Sequence, residues 1–199
     1  IEARVGEGQV LRLGVQRPGS DSVEHVKPQR RVYKRSEQPT TEVAILPTLL
    51  PRGLGQLGRV GEDFYVANTD AVLRFPYATG QQRIEARGVT LVQLPAGPRN
   101  HHWTRGLIAS PDGARLYATV GSNSNVAEFG MEAEQGRAAI WEVDPGSGSH
   151  RIYASGLRNP TGMAWSGAGM LWTVVNERDE LGSDLVPDYL TSVRDGAFY

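Results

Sequence analysis

Cysteine is absent from this 199-residue sequence, which excludes disulfides, thiolate metal centres and cysteine nucleophiles. A surplus of one charge is missing too. With 21 Lys and Arg against 22 Asp and Glu, the formal net charge of −1 leaves no global field to draw nucleic acid or an anionic membrane. A small neutral or polar ligand suits that balance better. No window reaches the roughly 20 apolar residues that a transmembrane helix needs, and Ile1-Glu2-Ala3-Arg4 lacks the apolar core of a signal peptide. Helical signal is also scarce. The best stretch, 127–137, carries Glu128, Glu132 and Glu134 but is interrupted by Gly130 and Gly136, so it reads as a loop.

What is present is turn-forming and β-forming. The 24 glycines and 12 prolines exceed average usage and imply many tight turns between short elements. Phe64-Tyr65-Val66-Ala67-Asn68, Leu116-Tyr117-Ala118-Thr119-Val120 and Leu171-Trp172-Thr173-Val174-Val175 are similar β-branched and aromatic runs. The first two lie beside turn signals, Gly61-Glu62-Asp63 and Asp112-Gly113. A second series, Val10-Leu11-Arg12-Leu13, Val72-Leu73-Arg74-Phe75 and Ile140-Trp141-Glu142-Val143, mixes apolar with charged residues as half-buried strands do. A recurrence of about 50 residues suits the blades of a propeller, with room for about three to four of them. The expected class is therefore all-β. Residues 21–58 are basic, polar and proline-punctuated, with Val43 to Leu46 the one strand-like run, so a divergent or poorly ordered segment is expected over 1–60 and a partial propeller over 61–199. The sequence begins without methionine and ends on Gly196-Ala197-Phe198-Tyr199, which reads as a cut at both ends.

Three loops could carry chemistry. In Asn100-His101-His102-Trp103-Thr104-Arg105-Gly106, two adjacent histidines point to opposite faces if extended, so one alone could reach a shared pocket as a general base. A hydrogen-bonded loop histidine explains the pair as well. In Gly156-Leu157-Arg158-Asn159-Pro160, the proline stiffens a loop that presents Arg158, whose planar fork suits an anionic planar cofactor. A surface arginine lying over Trp165 is the plainer alternative. Asn176-Glu177-Arg178-Asp179-Glu180 offers clustered oxygens of the kind a hard cation takes, or simply a solvated acidic turn. Gly121-Ser122-Asn123-Ser124-Asn125 could approach a ligand closely, though a polar turn explains it equally.

Taken in order, Leu94-Pro95-Ala96-Gly97-Pro98-Arg99-Asn100-His101-His102, Ser110-Pro111-Asp112-Gly113, Thr119-Val120-Gly121-Ser122-Asn123, Gly156-Leu157-Arg158-Asn159-Pro160 and Asn176-Glu177-Arg178-Asp179 resemble the soluble sorbosone/glucose dehydrogenase family, its sorbosone branch more than its glucose branch. The resemblance runs from about Gly61 to the C-terminus. It implies part of a six-bladed β-propeller that oxidises an aldose, sorbosone or related sugar with pyrroloquinoline quinone and calcium. By that resemblance His102 is the catalytic base, with His101 its neighbour, and Arg158 and Asn159 contact the quinone. Glu177 and Arg178 would bind Ca2+ through backbone carbonyls, at positions where the glucose branch has small residues. It also implies a sugar substrate, an external electron acceptor, no nucleic acid partner, and a periplasmic or secreted location. The 199 residues by themselves are expected to show little activity. A calcium-dependent propeller lactonase and a non-enzymatic propeller binding module are the competing readings.

Overall fold

The computed structural model describes residues 59–78, 81, 83–182 and 185–199, together with two short strands near the start of the chain. Those strands, β1 (Glu2–Arg4) and β2 (Val10–Arg12), pair antiparallel. The first larger sheet takes β3 (Arg59–Val60), β4 (Asp63–Ala67) and β5 (Ala71–Pro76), passes β6 (Arg83–Ile84), and closes with β7 (Val89–Gln93), in the order β3-β4-β5-β7. β6 instead runs parallel to β1. The second sheet is a four-stranded meander of β8 (Leu107–Ala109), β9 (Leu116–Val120), β10 (Ala139–Val143) and β11 (His150–Ser155). The third contains β12 (Pro160–Trp165), β13 (Leu171–Val175) and β14 (Tyr189–Val193).

All three larger sheets are antiparallel throughout, and each has the size of a propeller blade. The fold is all-β, a partial propeller, as the composition and spacing imply. The three aligned runs become β4, β9 and β13, each the second strand of its sheet. Of the second series, Val72 to Phe75 and Ile140 to Val143 become β5 and β10, each the third strand. Its first member does not follow suit, because β2 is the edge of the small β2-β1-β6 sheet.

Stacking of sheets explains why β9 is buried along its whole length. Successive side chains of a strand point to opposite faces. Leu116, Ala118 and Val120 therefore join Tyr65, Val72, Val92 and Leu94 of the first sheet in one core. Tyr117 faces the other way and joins Leu171, Val175 and Val193 of the third sheet. The middle sheet has both faces covered, which is why β9 reads as a continuous apolar run rather than an alternating one. Two side chains stitch the layers: Tyr65 Oη donates to the Pro145 carbonyl at 3.1 Å, and Trp165 Nε1 donates to the Ala109 carbonyl at 2.7 Å. Trp165 also meets Tyr117 edge-on, with ring centroids 5.3 Å apart.

Turn chemistry agrees with the sequence. Asp144 Oδ1 accepts the Gly146 and Ser147 amides at 3.0 and 2.8 Å and closes the β10–β11 hairpin, while Ser110 and Asp112 close β8–β9. The stretch read as a loop over 127–137 holds a single 3₁₀ turn, Met131–Glu134. Among the described residues no helix is long and apolar enough to cross a membrane. The segment 21–58, with its expected strand at Val43 to Leu46, lies outside the described residues.

Leu116→Ala should destabilise the fold by about 2–5 kcal/mol, because it empties a fully buried position between two sheets. Trp165→Phe, which removes one cross-sheet hydrogen bond, should cost only about 1 kcal/mol. Urea unfolding of the two variants beside the parent chain reads both.

Candidate functional site

The loop between β7 and β8 carries His102, and two devices fix it over the end of β9. Gly106 N–H donates to Thr119 Oγ1 at 2.7 Å. Arg105, which is buried, donates from Nη1 to the carbonyls of His102 and Thr104 at 2.8 and 3.1 Å, and from Nη2 to the Pro95 carbonyl at 2.8 Å. A guanidinium thus clamps the loop at both ends.

The end of β9 supplies the partners of the imidazole. His102 Nδ1 lies 3.0 Å from the Ser122 carbonyl and 2.9 Å from Ser122 Oγ. A carbonyl can only accept, and Ser122 Oγ spends its proton on the Ser124 carbonyl at 2.6 Å, so it too must accept from His102. Both partners require the proton on Nδ1, which leaves the Nε2 lone pair without a partner among the described residues. Burial, opposed by the hydrogen bond to Ser122 and assisted by the positive charge of Arg158, pulls the pKa of His102 down to about 4. The ring is neutral at pH 7 and is a base with a defined proton-accepting atom. His101 is exposed and meets His102 edge-on at 4.5 Å.

Gly121 explains how close the neighbouring loop can come. A Cβ at this position would lie 2.5 Å from His102 Cβ and 2.5 Å from Asn159 Oδ1, so only glycine allows both side chains to pack there. The Arg158 carbonyl accepts the Ser122 amide at 2.7 Å, and the Asn159 carbonyl accepts the Asn176 amide at 2.9 Å. The structure therefore brings His102, Arg158 and Asn159 together, as expected of one site.

Arg158 is buried, and each of its five N–H donors meets an oxygen of this chain. Nε donates to the Asn125 carbonyl at 2.9 Å and Nη2 to Asn125 Oδ1 at 2.7 Å and Asp179 Oδ2 at 3.1 Å. Nη1 donates to the Asn176 carbonyl at 3.0 Å and to the Glu177 carbonyl. Asp179 is the exposed partner, with 61% of its side-chain surface open, so an incoming anion competes with Asp179 for Nη2. Of the two carbonyls expected to meet a cation, that of Glu177 does meet one, but it is a guanidinium. Arg178 is exposed, and Glu177 N–H is tied to Asp188 Oδ1 at 2.9 Å. A dication on the Glu177 carbonyl would stand against the positive charge of Arg158, so this arrangement does not fit calcium there. Among the described residues no three His, Asp or Glu side chains gather as a metal site.

A family model described as TrAA12-like matches residues 20–188. The chain belongs to the TrAA12-like family. Its match starts well before Gly61, where the motif resemblance begins. No curated protein matches this TrAA12-like chain in sequence. Among solved structures it is similar to a Trichoderma reesei AA12 carbohydrate-active enzyme, described in iodide and calcium structures, at 20% identity and a TM-score of 0.56. The iodide comparison covers 72% of this chain and 39% of that one. It is also similar to the holo form of the pyranose dehydrogenase PQQ domain from Coprinopsis cinerea, at 21% identity and a TM-score of 0.50, over 69% of this chain and 37% of that one. The TrAA12-like chain thus spans about two fifths of the length of the structures it matches. At these identities the likeness establishes the fold.

Sequence reasoning overlooked Asn125 and Arg105, because their roles depend on loops that converge only in the fold. The Ser122 run reads as a place of close approach, the alternation of serine and asparagine after Gly121 being the visible signal.

Folding should depend on pH through His102. Its folded pKa lies below the ordinary 6.5, so the stability it contributes is complete above pH 6.5 and is lost as pH falls towards 4. The groups that set this value are Ser122, Arg158, His101 and Asp179. His102→Asn should flatten that limb in urea midpoints measured from pH 7.5 to 4.5. Gly121→Ala should displace His102 or Asn159, seen as altered His102 imidazole resonances.

Proposed function

We propose that this TrAA12-like chain is part of a pyrroloquinoline quinone-dependent sugar oxidoreductase, in which His102 removes the proton from the hydroxyl being oxidised. The observation that carries the proposal is the neutral, Nδ1-anchored imidazole with Nε2 free, packed against the Arg158-Asn159 loop. The fold shared with a pyranose dehydrogenase PQQ domain supports the cofactor class. The substrate class is an aldose, sorbosone or a related sugar.

The residues suit an anionic planar cofactor. Arg105, Arg137 and Arg158 are all buried around the His102 loop. Arg105 carries a buried Nε without a partner among the described residues, and burial together with Arg137 lowers its pKa to about 10. Clustered cations of this kind favour a bound anion. Arg158 and Asn159 would hold the quinone, Arg158 by exchanging Asp179 for a ligand oxygen. When bound, the quinone supplies the acceptor for the substrate's hydride. His102 Nε2 takes the hydroxyl proton, and the Nδ1–H···Ser122 bonds keep that nitrogen facing the reaction as charge develops on the ring. Since each turnover leaves the cofactor reduced, an external electron acceptor belongs to the same proposal, as does a periplasmic or secreted location. Calcium at the Glu177 and Arg178 carbonyls requires that Arg158 first give up the Glu177 oxygen.

Titration of the chain with pyrroloquinoline quinone, followed by the quinone's absorbance in calcium and in chelator, tests the proposal. The expected result is saturable binding that survives chelation and is weakened about tenfold or more by Arg158→Lys, which keeps the charge and loses the fork. Absence of binding by the chain and by the full-length protein, together with turnover of a lactone, would overturn it.

A further inference from the structure

We propose that Glu134 is a positioning residue that biases the tautomer of His102 through Ser124 and Ser122. The inference rests on the reading of His102 as a base.

The proton on His102 Nδ1 is fixed by Ser122, but a serine hydroxyl can donate as readily as it accepts. The Ser122 carbonyl, 3.0 Å from Nδ1, can only accept and favours Nδ1–H whatever the hydroxyl does. A Ser122 Oγ–H turned towards the ring would oppose it and raise the share of the form with a bare Nδ1 and a protonated Nε2. What prevents the turn is the Ser124 carbonyl, which accepts the Ser122 hydroxyl proton at 2.6 Å. Ser124 is fully buried, and its carbonyl has to be held in place by something outside the Ser122-Asn123-Ser124 turn.

Glu134 holds it. This residue ends the 3₁₀ turn Met131–Glu134, and its carboxylate grips two consecutive residues of the 121–125 loop. Oε2 accepts the Asn123 amide at 2.6 Å, and Oε1 accepts the Ser124 hydroxyl. Charge-assisted bonds to a carboxylate are about twice as strong as neutral ones, so Glu134 tethers Asn123 and Ser124 as firmly as Arg158 tethers Asn125. The order is continuous: Glu134 fixes Asn123 and Ser124, Ser124 orients the Ser122 hydroxyl, and Ser122 receives the His102 proton. Glu134 acts through position and not through its field, since the charges that bear on His102 are those of Arg158, His101 and Asp179. The loop that reads as an interrupted helix in the sequence is thus the brace of the base.

Histidine tautomers are read by nitrogen-15 NMR of the full chain labelled at histidine, at pH 7. The parent should show His102 protonated at Nδ1. Glu134→Ala should raise the Nε2-protonated share about fivefold, with the Ser122 carbonyl still favouring Nδ1–H. Glu134→Gln can accept only one of the two donors and should give an intermediate shift. Ser124→Ala, which removes one tether and keeps the Asn123 bond, should shift in the same direction by less. A general loss of structure would alter every histidine and the circular dichroism together, whereas this proposal moves His102 alone. If Glu134→Ala does not fold, Glu134→Gln and Ser124→Ala decide. Folded variants that keep the parent tautomer overturn the proposal. The readout needs neither quinone nor sugar: a base role that fails for His102 leaves the tautomer result standing, and a failed tautomer shift leaves the base role standing.

Discussion

The contact between His102 Nδ1–H and Ser122 is the constraint on which the site depends. It joins the loop that leads into β8 to the end of β9, and it can form only because those strands are hydrogen-bonded neighbours, with Leu107 paired to Ala118. The same two hydrogen bonds decide chemistry as well as geometry. They place the imidazole proton on the nitrogen that faces the protein, and so direct the lone pair away from it. Burial does the rest by keeping the ring uncharged.

Everything around this contact serves to keep it rigid. Behind it, β9 is packed on both faces, so the strand end that presents Gly121 and Ser122 cannot drift. Beneath it, Arg105 ties the His102 carbonyl to the Pro95 carbonyl across the loop. Beside it, Arg158 gathers oxygens from Asn125, Asn176, Glu177 and Asp179, and Asn125 Oδ1 accepts the Asp179 amide at 3.0 Å as well. Arginine is suited to this because a planar fork with five donors satisfies several loop oxygens at once. Two loops that a divalent cation could have bridged are bridged instead by a side chain of the protein.

The sheets were the most legible part of the sequence. Phe64 to Asn68, Leu116 to Val120 and Leu171 to Val175 carry a β-branched and aromatic signature because each is the second strand of a stacked sheet. Val10 to Arg12 shares the half-polar pattern of Val72 to Phe75 and Ile140 to Val143 but forms the edge of a small sheet, since a short half-polar run does not encode its partner. His102, Arg158 and Asn159 are singled out by motif order, and the fold packs them against one another at Gly121 and Ser122. The sequence could not show that Arg158 turns inward, because its partners lie far away along the chain, at Asn125 and at 176–179. Nor could it show Glu134, which looks like one of three surface glutamates in a broken helix until the 3₁₀ turn sets it against Asn123 and Ser124. Local pattern reveals strands; the reach of one side chain across loops becomes visible only once the loops are placed.

The most direct test of the account is a single-turnover measurement on the quinone-loaded full-length protein, comparing an aldose with its C1-deuterated form, for the parent and for His102→Ala. The account predicts a primary isotope effect in the parent and a rate lowered about 10²- to 10⁴-fold in the variant, with quinone affinity unchanged. Reduction at the parent rate in His102→Ala would contradict it, and would return His102 to the role of a well-anchored loop residue.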